Sequence, residues 1–191
     1  MNKSVFLLLI PLLLDGCTTI GVGAAELTGV SLLNDRRTTQ AQLLDEKIED
    51  DADITLNSNS IIRENCHFNI ISYNRIVLIT GEAPNSELRA QITTLIQNLS
   101  DVRVVKNHML IALPTSFSSR TNDAVITARV KKAFTEDSRL PGLDATRIKV
   151  VTENGRVFLM GIVYQKDGEA AADVASRQIG VREVIKVFEY L

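Results

Sequence analysis

The chain contains the same stretch twice. Residues 68–81, Phe68 to Gly81, lie without a gap over residues 148–161, Ile148 to Gly161. Apolar residues fall on apolar residues, Asn74 on Asn154, Val77 on Val157 and Gly81 on Gly161. Each copy reads as strand, tight turn, strand, glycine. Asn74 and Asn154 stand 80 positions apart (154 − 74). That offset exceeds the roughly 20–50 residues of a solenoid unit, so it predicts two similar domains in tandem.

The flanks of the repeat match as well. After Gly81 an apolar face recurs through Ala90, Ile92, Leu95, Ile96 and Leu99. After Gly161 it recurs through Ala170, Ala171, Val174, Ala175 and Ile179. Recurrence every three or four residues marks one buried helix face. Each copy closes on an apolar run, Val102 to Ile111 and Val181 to Leu191, with Asp101 and Gly180 at the turn before it. An amphipathic segment precedes each copy. The first passes through Leu43, Leu44, Ile48, Ala52 and Leu56. The second passes through Ile126, Val130, Ala133 and Phe134, with Asn122 as N-cap. The order is α-β-β-α-β, twice, which predicts an α+β fold. In each domain the hairpin is antiparallel and the β-α-β crossover returns the last strand parallel to the second. The result is a small three-stranded mixed sheet packed against two helices on one face. A domain of about 70 residues is small but viable.

Composition excludes some partners. Formal net charge is −2 and aromatic residues make up 5%, with no tryptophan. Neither a basic field nor a set of base-stacking platforms is present, so no nucleic acid is expected. The N-terminus has a positive Lys3 and an apolar run from Val5 to Leu14, too short to span a bilayer as a mature helix. It ends in Leu14-Asp15-Gly16-Cys17. This resembles a lipobox, the recognition site of the bacterial lipoprotein signal peptidase. The resemblance implies removal of residues 1–16 and acylation of Cys17. Thr18, in place of an inner-membrane-retaining aspartate, implies sorting to the outer membrane. Residues 17–40, rich in Gly, Ala, Thr and Ser and then charged at Asp35-Arg36-Arg37, read as a tether. The first domain is expected at 41–113, a linker at 114–120 and the second domain at 121–191.

The chemistry-bearing residues are few. With Cys17 acylated, Cys66 is the one remaining thiol and has no disulfide partner. Cys66 and His67 are adjacent on an extended chain and point to opposite faces, so they are poorly placed to share an ion. Cys66 reads as a core residue and His108 as a structural histidine in the closing strand. The run Glu49-Asp50-Asp51-Ala52-Asp53 lacks calcium-loop spacing and reads as a solvated helix face. No G-x-S-x-G, H-E-x-x-H, Walker loop or C-x-x-C occurs, so no catalytic residue, metal or cofactor is expected.

The pattern of Ile148 to Gly161, continued by Ala171, Ala175, Gly180, Val181 and Val184, resembles the BON domain. In the first copy Arg75 and Asp101 replace glycines. A lipobox, a tether and two BON domains together resemble the dual BON outer-membrane lipoprotein (DolP) family. Thr121-Asn122-Asp123, Val150 to Gly155 and Val157 to Gly161 carry the likeness in the second domain. The resemblance implies a protein anchored at the periplasmic face of the outer membrane that helps maintain that membrane's integrity. It also implies binding of anionic phospholipid, such as phosphatidylglycerol, through the first helix of the second domain. That helix is expected over about 123–135. Val125, Arg129 and Lys132 project together from it, with Lys131 nearby. A basic surface carrying one apolar side chain suits an anionic headgroup layer. The alternative is a protein-interaction module that supports outer-membrane protein assembly, with the acidic first domain as docking surface. Neither reading requires an enzyme.

Overall fold

A computed structural model of the chain describes residues 35–114, 117–137 and 145–191. The expected signal peptide, Cys17 and most of the 17–40 tether lie outside the described residues. The first domain runs α1 (Thr39–Ser58), α2 (Ser60–Asn65), β1 (His67–Tyr73), β2 (Ile76–Ala83), α3 (Ser86–Gln97), β3 (Val104–Asn107) and β4 (Leu110–Ile111). The second runs α4 (Phe117–Glu136), a 3-10 turn (Ala145–Arg147), β5 (Lys149–Glu153), β6 (Arg156–Val163), α5 (Gln165–Ser176) and β7 (Glu183–Tyr190).

The repeat holds in three dimensions. β1 pairs antiparallel with β2, and β5 with β6. β3 and β7 return parallel to β2 and β6. Both hairpin turns place their two central residues in the left-handed region: Asn74 (φ 50°) and Arg75 (φ 66°), then Asn154 (φ 53°) and Gly155 (φ 71°). Such turns match the right-handed twist of the flanking strands. A buried aspartate from the first helix of each domain holds the turn. Asp45 accepts the N–H of Asn74 and of Arg75, each at 2.7 Å. Asp123 accepts those of Asn154 and Gly155, each at 2.8 Å. Each carboxylate therefore ties helix to hairpin.

Several boundaries differ from the expectation. The closing run of the first domain breaks at His108-Met109, because Met109 turns into the core and Asn107 Oδ1 accepts its N–H at 2.9 Å. The first sheet therefore has four strands and the second three. His108 lies between β3 and β4 rather than in a strand, its ring 5.2 Å from that of Phe158. Burial, and next the nearby Arg156 guanidinium, hold its pKa below the usual histidine value. Helix α4 begins at Phe117, so residues 117–120 are helical rather than linker, and Asn122 lies inside the helix instead of capping it. Leu43 and Ala90 were expected on buried helix faces, yet both are exposed.

Each sheet has two buried faces. Phe68, Ile70, Val77, Ile79 and Ala83 meet Ile48, Ala52, Leu56, Ile92 and Ile96 of the helices. The alternate residues Ile71, Tyr73, Ile76 and Leu78 face the second domain's Val151, Phe158, Met160, Ile162, Ile185 and Val187. The two sheets pack face to face, with the helices outside, and both belong to one unit spanning 34–191. Six of these seam side chains are buried, for a gross gain on the order of 10 kcal/mol before ordering costs.

Polar contacts ring the seam. Arg103 pairs with Glu189, Lys149 with Glu49, and Arg156 donates to the His108 carbonyl. The supposed tether end also joins it. Arg36 donates to the Ile162 carbonyl at 2.9 Å and lies over the Tyr164 ring. Arg37 pairs with Asp35 and Asp45 and covers the Tyr73 ring. Burial, and then the Asp35 charge, push the Tyr73 phenol up to about 12. Residues 35–37 thus strap the domains instead of hanging free.

Candidate membrane-binding surface

The inner side of α4 fixes what its outer side presents. Ile126, Val130 and Phe134 are buried against β5, β6 and α5, as the spacing predicted. Asp123 adds the two hydrogen bonds to the β5–β6 turn, and Thr127 Oγ1 lies 2.7 Å from Thr152 Oγ1. These contacts leave no freedom of rotation about the helix axis. Val125, Arg129 and Lys132, spaced four and three apart, form one outward stripe. Val125 is 43% exposed. Lys132 lies 3.7 Å from Glu136 one turn on, an exposed pair that neutralises part of its charge.

Lys131 does not join that stripe. It lines a groove of about 500 Å³ between α4 and the first domain, together with Asp123, Thr127, Lys149, His67 and Phe68. The four residues expected to share a site therefore divide, three on the outer stripe and one in the groove.

One residue of the surface was placed wrongly by sequence reasoning. Ile179 continues the apolar spacing of α5, so it was expected on the buried face. The helix ends at Ser176, and Ile179 sits in the following turn at 79% exposure. Arg129 Nη1 donates to the Ile179 carbonyl at 3.2 Å, which brings that turn beside α4. Gly180 (φ +96°) packs against Ile126, where an added Cβ would approach Ile126 Cγ1 to 2.9 Å. Ile179 is therefore presented next to Arg129, and the surface carries two apolar side chains and two bases. The signal available in the sequence was Gln178-Ile179-Gly180: Gly180, left-handed, is the third residue of a turn closed by Val181 N–H to the Gln178 carbonyl at 3.1 Å, and Ile179 stands at the second position of that turn.

Among the described residues no helix is long and apolar enough to cross a membrane.

A sheet of this topology, with a glycine at the end of its second strand and two helices on one face, defines a class. The BON domain matches twice, over residues 50–112 and 122–191. The chain is 35% identical over 191 residues to the outer membrane lipoprotein DolP of Haemophilus influenzae, covering all of this chain and 97% of that one. It therefore belongs to the DolP family of dual BON-domain outer-membrane lipoproteins. A 21 kDa hemolysin of Actinobacillus pleuropneumoniae is 31% identical over 157 residues, 82% of this chain and 79% of that one. The C-terminal domain of CdsD, a structural protein of the type III secretion system of Chlamydia trachomatis, is 17% identical. It covers 77% of this chain and 67% of its own, at a TM-score of 0.30, too distant to bear on function.

Proposed function

We propose that this protein is a periplasmic lipoprotein, held in the outer membrane by acylated Cys17, that binds anionic phospholipid through α4 of its second domain and so helps maintain outer-membrane integrity. The observation that carries the reading is the outward stripe of Val125, Arg129 and Lys132 beside exposed Ile179. Apolar side chains at this level enter the headgroup boundary, and each base adds about 1 kcal/mol near an anionic surface. The contact is weak in isolation and falls with salt. It suffices because the anchor keeps the domain close to the membrane, where effective concentration is high. The protein acts by binding rather than catalysis.

Anchoring is tested by mass spectrometry of the membrane fraction, which should show an acylated N-terminal cysteine at position 17. Several acyl chains at about 0.8 kcal/mol per buried CH₂ make the attachment effectively permanent. An unmodified Cys17 in a soluble protein contradicts it.

The lipid surface is tested by vesicle flotation. Arg129→Glu with Lys132→Glu should abolish the preference for phosphatidylglycerol over neutral vesicles, with an unchanged melt, since both side chains lie outside the core. Ile179→Ser should weaken binding, and Val125→Trp should strengthen it by adding an amphipathic ring. Lys131→Glu should matter less, because Lys131 lines the groove. Equal flotation by the double variant and the parent places the site elsewhere. The docking alternative draws on the first domain, where Leu43 and Ile54 are exposed among the acidic residues of α1 and Ile61 is exposed on α2. It takes the lead if no variant of α4 alters flotation.

A further inference from the structure

We propose that His67, Glu82 and Glu153 form a site for one divalent transition-metal ion of Zn²⁺ type, which clips the two domains together. Among the described residues this is the one group of three such side chains whose ligand atoms could share an ion. One donor atom from each lies within 4.8 Å of the others. His67 Nε2 is 3.7 Å from Glu153 Oε1. Ligands at about 2.0 Å from a tetrahedral zinc stand about 3.3 Å apart, so a small side-chain contraction closes the site.

The topology explains the convergence. His67 and Glu82 are direct partners across the β1–β2 ladder, so their side chains rise from the same sheet face. That face is the seam. Glu153 ends β5 on the facing sheet, in line with Val151. Cys66 takes no part, because it points to the opposite face and joins the first domain's core. Gly81, beside Glu82, has φ +111°, and a Cβ there would stand 2.1 Å from the His67 carbonyl oxygen. The two backbones are thus pressed together where the imidazole departs. Thr80 Oγ1 lies 3.4 Å from Glu153 Oε2 and steadies the oxygen that does not face His67.

Chemistry favours an ion here. Glu82 is fully buried and Glu153 is 7% exposed. Buried carboxylates are tolerated when they are paired or bind metal, and these two are brought together from separate domains on the sheet faces that also carry the seam's apolar cluster. One imidazole and two carboxylates are a three-ligand set that leaves a fourth position for water. The imidazole favours zinc-like ions over Mg²⁺ and Ca²⁺, which take oxygen ligands. The approach is open, since His67 and Glu153 both line the 500 Å³ groove beneath α4.

The test uses the mature chain beginning at Thr18, stripped with chelator and titrated with ZnCl₂ by calorimetry. One equivalent should bind, and Ca²⁺ or Mg²⁺ at the same concentration should not compete. Co²⁺ as a second probe should give the visible bands of a four-coordinate site. Glu153→Gln preserves shape and packing, and should lower Zn²⁺ affinity at least tenfold with an unchanged melt in chelator. His67→Ala should do the same. Zn²⁺ should raise the melting temperature of the parent and of neither variant. Parent protein that takes up no Zn²⁺, or variants that bind it as tightly as the parent, would overturn the proposal.

Discussion

Asp45→Ala is expected to unfold the first domain at a cost of about 3–5 kcal/mol, the range for removing one member of a buried charged network. The carboxylate is 2% exposed and serves four partners. It accepts the N–H of Asn74 and of Arg75, the Ser72 hydroxyl at 2.6 Å and Arg37 Nη1 at 2.7 Å. Alanine leaves all four donors without that acceptor, three of them next to a turn whose residues are left-handed without being glycine. The loss also frees Arg37, and with it the strap at residues 35–37. Asp123→Ala removes two backbone bonds rather than four partners, so its cost is smaller, about 2–3 kcal/mol. Chemical denaturation of both variants measures the difference. Midpoints equal to the parent's would show that the turns hold without their aspartates.

Gly81→Val is expected to cost about 3–5 kcal/mol, and Gly161→Val about 2–3. The two glycines meet equivalent obstacles. A Cβ on Gly81 would lie 2.1 Å from the carbonyl oxygen of His67, and one on Gly161 would lie 2.6 Å from that of Arg147. Positions 67 and 147 are 80 apart, as 81 and 161 are (147 − 67 and 161 − 81), so the repeat extends to this backbone approach. Backbone oxygen does not yield as a side-chain tip does. Gly81 carries the added penalty of φ +111°, which L side chains rarely adopt. For a chain of this size each kcal/mol moves the melting temperature by about 2–4 °C, so Gly81→Val should lower it by about 6–20 °C. Equal melts for the two variants would remove the strained φ from the account.

The hairpins, the glycines and the inner faces of α1 and α4 were legible because each is a local pattern. Ile48, Ala52, Leu56, Ile126, Val130 and Phe134 recur at helical spacing and are buried. The seam was also written in the sequence, in a different period. Ile76 to Ile79 and Val157 to Met160 are unbroken apolar runs, which mark strands covered on both faces. A sheet with helices on one face alone would alternate. Asp45, Asp123 and the His67–Glu82–Glu153 group were not legible, because their partners lie far along the chain and become neighbours only through strand register. The Asp35-Arg36-Arg37 run read as solvated tether because charge is usually at the surface. Here Arg36 finds the Ile162 carbonyl and the Tyr164 ring of the second domain, and Arg37 the Tyr73 ring and the Asp45 carboxylate of the first. Ile179 failed differently: its spacing fitted the helix, but the helix stops at Ser176 and Ile179 falls in the turn that Gly180 makes after it.

The same fold fixes which side of α4 is turned outward. Asp123 and the buried stripe fix its rotation, and the turn at Ile179 extends the surface with a second apolar tip. The most direct measurement is a residue-resolved magnetic resonance titration of the unlipidated mature chain with phosphatidylglycerol micelles. The account predicts shifts confined to the outer residues of α4, Val125, Arg129 and Lys132 among them, and to the Ile179–Gly180 turn, fading as salt rises. Shifts spread over α1 of the first domain, or none in α4, would contradict it.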